Sequence, residues 1–252
     1  MSGHSKWATI KRKKGAADAK RGKLFTRLGK EITIAARDGG GDLETNPRLR
    51  TAIENARGQN MPKDNIERAI KRGTGEVEGA RYEEITYEGY GHGGVAILVS
   101  TVTDNTNRTA ADVRHAFSKY GGKMADPGSV AYLFETKGIF SLDASVADEE
   151  RVMEVVIDAG AEDVQEEGGT VEVTCPREAF HAVNSALAEA GLTTLSAELT
   201  PVPSTTITVS GEDALRLLKL INALDDLDDT QQVSANLDIP EEEMAALQEE
   251  LA

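Results

Sequence analysis

The chain has few of the residues that form crosslinks or large aromatic cores. Its 252 residues include one cysteine, Cys175, and 4% aromatic residues. A lone cysteine cannot form an intramolecular disulfide, and the basic N-terminal residues are not followed by the apolar segment of a secretory signal. No apolar run approaches the ~20 residues that a membrane span needs. We therefore expect a cytoplasmic protein that has no membrane partner.

Residues typical of catalytic and metal sites are also sparse. The four histidines, His4, His92, His115 and His181, lie in separate segments without the spacing of metal ligands, and one cysteine cannot supply a zinc site. The sequence contains no G-x-S-x-G, no Walker lysine and no H-E-x-x-H. We therefore predict no catalytic residue, no metal and no cofactor, and a protein that is not an enzyme.

Negative charge is nearly absent from the first thirty residues, which hold ten basic residues and the single acid Asp18. Residues 81–252 hold ten basic and 33 acidic residues, a net charge of -23, and the whole chain carries -15. Such a division attracts polyanions to the N-terminal end and repels them from the rest of the chain. Trp7 either stacks on a base or pins this segment to the helical domain. The residues predicted to contact nucleic acid are Lys6, Trp7, Lys11, Arg12, Lys13, Lys14, Lys20, Arg21, Lys23, Arg27 and Lys30.

Three helices are predicted for the N-terminal region. The first runs from Ala16 to Asp38, with apolar residues on one arc and basic residues on another. The second has Asn46 as its cap, Pro47 in its first turn and Gly58 at its end, and the third runs from Pro62 to Gly73.

Beyond Arg81 the apolar period changes to that of strands, with a hairpin turn at 89–94. Residues 136–202 show the βαββαβ order of a ferredoxin-like domain. Residues 203–252 are too few to bury a core alone, and together with 77–135 they complete an α/β layer. Within these regions we predict strands at Ser129–Phe134 and Thr205–Val209 and a last helix from Pro240 to Ala252.

The predicted fold is therefore α+β with three domains, a small N-terminal helical domain and two α/β-layer domains, one ferredoxin-like and inserted into the other. The predicted boundaries are 1–76 for the basic helical domain with its N-terminal arm, 77–135 plus 203–252 for the discontinuous middle domain, and 136–202 for the insertion.

Seven polar residues, 103–109, precede the helix predicted at Thr109–Tyr120. Asn, Asp and Thr commonly cap helices and form turns, which gives a structural interpretation. The alternative is a polar surface that meets a phosphate or a partner carboxylate. The residues of this possible partner surface are Asp104, Asn105, Asn107, Arg108 and Arg114.

Several ordered motifs closely resemble the YebC/PmpR family, which includes the mitochondrial translational activator of cytochrome oxidase. They are Gly3-His4-Ser5-Lys6-Trp7, Asp18-Ala19-Lys20-Arg21-Gly22-Lys23, Asn46-Pro47-Arg48-Leu49-Arg50, Asn60-Met61-Pro62-Lys63-Asp64-Asn65-Ile66, Thr103-Asp104-Asn105, Gly128-Ser129-Val130-Ala131 and Ala223-Leu224-Asp225-Asp226-Leu227-Asp228-Asp229. The resemblance implies three domains, no enzymatic activity, and either a transcriptional regulator that binds DNA or a factor linked to translation on the ribosome.

The leading hypothesis is a non-enzymatic regulator of gene expression that binds DNA through its basic N-terminal domain. The first alternative is a ribosome-associated translation factor that contacts ribosomal RNA through the same residues. The second is a protein-docking module whose basic end binds an acidic partner. We expect a monomer.

Overall fold

The computed structural model describes residues 18–167, residues 169–240, Glu243 and Leu247. In this part of the chain the α-helices are α1 (Asp18–Gly39), α2 (Pro47–Gly58), α3 (Lys63–Gly73), α4 (Thr106–Lys119), α5 (Glu149–Val156), α6 (Phe180–Glu189) and α7 (Gly211–Asp225). The strands are β1 (Glu83–Tyr90), β2 (Ala96–Thr103), β3 (Lys123–Ala125), β4 (Phe134–Asp143), β5 (Asp163–Glu167), β6 (Thr170–Pro176), β7 (Thr194–Pro203), β8 (Ile207–Thr208), β9 (Thr230–Ala235) and β10 (Leu237–Asp238). The predicted α+β class is confirmed.

The chain packs as two compact units. The first unit comprises the described residues up to Arg27, Ala80–Glu135 and the described residues from Val202 onward. The second unit comprises Leu28–Gly79 and Thr136–Pro201. This division does not test the three predicted domain boundaries, which stay predictions.

The first unit is built on a four-stranded sheet with the order β3-β1-β2-β9. The hairpin predicted at 89–94 joins β1 to β2, with Tyr90 opposite Ala96. Strand β9 pairs antiparallel with β2, placing Ser234 opposite Leu98. Helices α4 and α7 contribute Phe117 and Leu217 to the core with apolar residues of the sheet. The sheet therefore contains strands from both sides of the βαββαβ segment.

The second unit contains a four-stranded sheet with the order β5-β6-β4-β7. This order belongs to the split βαβ pattern, and β6 pairs antiparallel with both β4 and β5. Alternate residues of the strands, such as Phe140 and Val173, are fully buried in one core with Val183 of α6. Helix α2 is tied to this sheet because Asn55 donates to the Ala197 carbonyl oxygen (2.7 Å) and accepts from the Ala197 amide (3.2 Å).

The helices of the N-terminal region begin and end close to the predicted residues. Asn46 caps α2, Pro47 is its first residue and Gly58 its last. Helix α3 follows Pro62 and buries Ile66 and Ala69, two of the residues expected to face inward.

Two predicted strands are corrected. Of the strand predicted at Ser129–Phe134, only Phe134 is extended, as the first residue of β4. The amides of Val130 and Ala131 donate to the Glu88 carboxylate instead, and Ala131–Leu133 form a 3-10 turn. The strand predicted at Thr205–Val209 is reduced to β8, which pairs in parallel with β10 as a separate two-stranded sheet. Most of the predicted helix Pro240–Ala252 lies outside the described residues, although Glu243 and Leu247 are helical and Leu247 is buried in the core of the first unit.

Asn46 does more than cap α2, and its loss is expected to lower the free energy of unfolding. The buried side chain accepts from the Leu49 amide (3.0 Å) and donates to the carbonyl oxygens of Ala35 (2.8 Å) and Gly40 (2.7 Å), which end α1. Asn46→Ala removes a cap and strands two carbonyls, which we expect to cost about 2 kcal/mol in urea unfolding. The control is Asn107→Ala, at an exposed helix position. Equal stability of the two variants would contradict this account of Asn46.

Candidate nucleic-acid interface

The basic side of α1 is only partly available to a ligand. Lys23 donates to the carbonyl oxygen of Asp226 and lies 3.6 Å from its carboxylate. Arg27 donates to the carbonyl oxygen of Asp225 and lies 3.2 Å from its Oδ1. Both carbonyls belong to the C-terminal end of α7, where cations offset the negative end of the helix dipole. These two residues therefore act, in this structure, as caps of α7.

The Arg27–Asp225 ion pair is more buried than the Lys23–Asp226 ion pair. The side chains of Arg27 and Asp225 are 13% and 16% exposed, whereas that of Asp226 is 82% exposed. Burial lowers the pKa of Lys23, and the Arg27 guanidinium lowers it further, outweighing the carboxylates of Asp226 and Asp225. A phosphate would have to displace Asp225 from a site largely closed to solvent in order to reach Arg27.

The other residues of the predicted set differ in how far the structure describes them. Lys30 is buried, with 7% of its surface exposed, which does not suit the phosphate contact predicted for it. Arg21 is exposed on the first turns of α1. The backbone of Lys20 belongs to α1, but its side chain is not among the described ones. Lys6, Trp7, Lys11, Arg12, Lys13 and Lys14 also lie outside the described residues.

The polar segment at 103–109 has a structural role at most of its positions. Asn105 caps α4 by accepting from the Arg108 amide (3.1 Å). Arg108 donates to Asp104 (2.9 Å) and to Asp229 (2.7 Å), and these two carboxylates raise its pKa. Asn107 and Arg114 are exposed. The capping interpretation of Asn105 therefore agrees with the geometry, and all five residues of the possible partner surface are exposed.

The sequence analysis did not predict the role of Asp229 as a shared hydrogen-bond acceptor. Its Oδ2 accepts from Arg108, from the Thr109 hydroxyl (2.8 Å) and from the Thr103 hydroxyl (3.2 Å), while the Val102 amide donates to its backbone carbonyl (2.8 Å). The residue is 6% exposed. The acidic segment 225–229 thus holds the start of α4 through Asp229, and it contacts Lys23 and Arg27 of α1 through Asp226 and Asp225.

Exposed cations also occur where no contact was predicted. Arg68, Lys71 and Arg72 are exposed on the later turns of α3, and none of them forms an ion pair with a described residue. The signal was present in the sequence, since cations at positions i, i+3 and i+4 of a helix share a face.

The single cysteine has a buried environment. Cys175 lies fully buried on β6, and burial raises the pKa of its thiol to about 11, which suits a structural residue. In the described part of the chain, no group of three or more His, Cys, Asp or Glu side chains could hold a metal ion. No described helix is long and apolar enough to cross a membrane.

Known proteins resemble this chain in sequence and in structure. A family model described as "TACO1/YebC protein N-terminal domain" matches residues 5–76, and one described as "TACO1/YebC second and third domain" matches residues 82–237. A crystal structure of a conserved hypothetical protein from Aquifex aeolicus is 48% identical and covers 90% of this chain and 94% of its own, with a TM-score of 0.85.

Curated relatives match almost the whole chain. A protein of Acidithiobacillus ferrooxidans is 58% identical over 98% of this chain and 99% of its own length. A protein of Desulfatibacillum aliphaticivorans is 55% identical over 96% of this chain and 98% of its own length. Both are named probable transcriptional regulatory protein.

The molecule is thus an α+β protein whose helical N-terminal region precedes two sheet-containing regions, with a charge division between its N-terminal end and the rest. It belongs to the TACO1/YebC family.

Proposed function

We propose that this protein is a non-enzymatic regulator of gene expression that binds DNA through its basic N-terminal segment. The observation that carries the proposal is the charge division, because ten of 28 basic residues lie in the first thirty positions of a chain with net charge -15. The names of the relatives support the regulatory role.

Ion pairs and burial argue against three of the predicted phosphate contacts. Lys23 and Arg27 are occupied by Asp226 and Asp225, and Lys30 is buried. The remaining members of the set are Lys6, Lys11, Arg12, Lys13, Lys14, Lys20 and Arg21. Phosphate contacts of this kind position a protein on nucleic acid without reading its sequence.

A second candidate is contact with ribosomal RNA in a translation factor. Lysine and arginine neutralise phosphates of either nucleic acid, and the resemblance to a family that includes a translational activator favours this candidate. Crosslinking in cells, followed by sequencing of the attached DNA and RNA, separates the two. Promoter DNA supports the first candidate and ribosomal RNA the second. Recovery of neither, from a protein present at normal level, would contradict both.

The segment itself is tested by changing Lys11, Arg12, Lys13 and Lys14 together to glutamine. Each phosphate contact releases counterions, so we expect an affinity for duplex DNA at least ~10-fold lower at ~0.15 M salt and a slope of log K against log salt reduced by about 3. Fluorescence anisotropy at three salt concentrations measures both quantities. The control changes four exposed cations of the acidic part, Lys123, Arg151, Arg177 and Lys219, to glutamine. Full affinity in the first variant, or equal loss in both, would argue against a local contact.

A further inference from the structure

Helix α3 is held firmly by its inner face. Ile66 and Ala69 are buried, and the Thr33 hydroxyl of α1 donates to the Ala69 carbonyl oxygen (3.2 Å). At Gly73 the helix approaches α1 so closely that an added Cβ would lie 2.3 Å from the Thr33 carbonyl oxygen. The outer face of α3 is therefore presented in a fixed orientation.

That outer face carries positive charge along its later turns. Arg68, Lys71 and Arg72 are all exposed, and no acidic residue occurs between positions 68 and 75. Residues three and four apart on a helix have Cβ atoms about 5–6 Å apart, so the three side chains form one cluster. The next acid, Glu76, accepts from the Thr74 hydroxyl (2.9 Å).

The cluster differs from the cations of α1 in having no carboxylate partner. Lys23 and Arg27 each have one, whereas Arg68, Lys71 and Arg72 form no ion pair with any described residue. A ligand phosphate reaching α3 would not have to displace an internal acid. Clustered, unpaired arginine and lysine on a rigid face have the chemistry that binds a phosphodiester backbone.

Stabilisation of the C-terminal end of α3 is a structural role that explains only two of the three cations. Lys71 and Arg72 lie in the last turn of α3, where cations offset the negative end of the helix dipole. Arg68 lies about one turn earlier, where this effect has fallen off. The dipole alone therefore leaves Arg68 unexplained.

We propose that the outer face of α3, with Arg68, Lys71 and Arg72, is a second contact surface for the phosphodiester backbone of a nucleic-acid duplex, in addition to the N-terminal segment. The inference rests on the proposed function and extends it to residues outside the predicted set. The surface binds by charge and carries no base-reading role.

The test measures binding of the full chain to a DNA duplex and to an RNA duplex of the same sequence by fluorescence anisotropy. The variant R68Q/K71Q/R72Q is expected to bind at least one duplex ~10-fold or more weakly at ~0.15 M salt, with a salt slope reduced by about 2 to 3. The variant R68K/K71R/R72K keeps the charge and is expected to bind like the unaltered chain. The matched control K123Q/R151Q/K219Q removes the same charge from exposed sites of the acidic part.

The outcomes separate this inference from the proposed function. Unaltered affinity of R68Q/K71Q/R72Q, with loss in the Lys11–Lys14 variant, overturns the α3 surface and leaves the proposed function standing. No binding of the unaltered chain to either duplex overturns both. Equal losses in the α3 variant and its matched control overturn the α3 surface. Circular dichroism checks that each variant folds. If the triple variant unfolds, the single variant R68Q, which lies outside the last turn, is compared with the single variant K123Q. An affinity of R68Q no lower than that of K123Q then overturns the α3 surface.

Discussion

Changing Glu88 to glutamine is expected to lower the free energy of unfolding by about 3 kcal/mol, because its carboxylate accepts three backbone amides of the turn at residues 128–131. Glu88 lies on β1 and is 6% exposed. It accepts from the backbone amides of Gly128 (2.6 Å), Val130 (2.6 Å) and Ala131 (2.9 Å). Glutamine has nearly the same shape, but its NH₂ group would face amide donors. Urea unfolding measures the loss.

The pH dependence of this stability has a definite sign. Burial by itself would raise the pKa of Glu88, but the hydrogen bonds from Gly128, Val130, Ala131 and Ser129 outweigh it and lower the pKa below its ordinary value. A lowered carboxyl pKa contributes stability that is present above the unfolded pKa, about 4.3, and is lost as the pH falls through the folded pKa. The difference between the unaltered chain and Glu88→Gln should therefore be full at pH 7 and shrink below pH ~4.

The control for Glu88 is Glu83→Gln, an exposed glutamate on the same strand. It removes the same charge without touching the turn, and we expect a change below about 0.5 kcal/mol. If the two variants lose equal stability, or if the loss in Glu88→Gln is the same at pH 3.5 and pH 7, the carboxylate does not hold the turn as described.

Asp229→Ala is expected to cost about 3 kcal/mol of unfolding free energy. The substitution removes the shared acceptor of Arg108, Thr103 and Thr109, two of which are buried hydroxyls. Water cannot replace the lost acceptor because Thr103 and Thr109 are 0% and 1% exposed, and only the Thr109 hydroxyl keeps a second acceptor, the Asn105 carbonyl oxygen (3.1 Å). Thermal unfolding followed by circular dichroism measures the effect.

Asp104→Asn provides the comparison for Asp229. Asp104 binds the same Arg108 nitrogen at 2.9 Å, but its side chain is 42% exposed. Exposed ion pairs contribute little, so a loss below about 1 kcal/mol is expected. A loss at Asp104 as large as that at Asp229 would show that the Arg108 ion pairs, and not the buried hydroxyl contacts, hold this corner.

Local signals made several elements predictable. Asn46, Pro47 and Gly58 set the ends of α2 because capping and helix termination depend on neighbouring residues. The strand order of the βαββαβ segment followed from the element order, since that pattern has few compact arrangements.

Contacts between distant residues were not predictable in the same way. The Ser129–Phe134 strand was wrong because the acceptor for its amides, Glu88, comes from another part of the chain. The basic stripe of α1 gave no sign that Lys23 and Arg27 would meet Asp226 and Asp225, about 200 positions later. The α3 cations, by contrast, could have been predicted from their helical spacing. They were overlooked because the first thirty residues hold a larger number of basic residues.

The pairing of β2 with β9 has a consequence for how the chain acquires its structure during synthesis. The β4–β7 segment has all four of its strands within residues 134–203 and can close soon after it leaves the ribosome. The β1–β2 hairpin is made earlier, yet it lacks a neighbour on one side until residues 230–235 emerge. Nascent chains halted before β9 should therefore have a protease-resistant ferredoxin-like sheet, while the edge of β2 is still open to pairing with another chain.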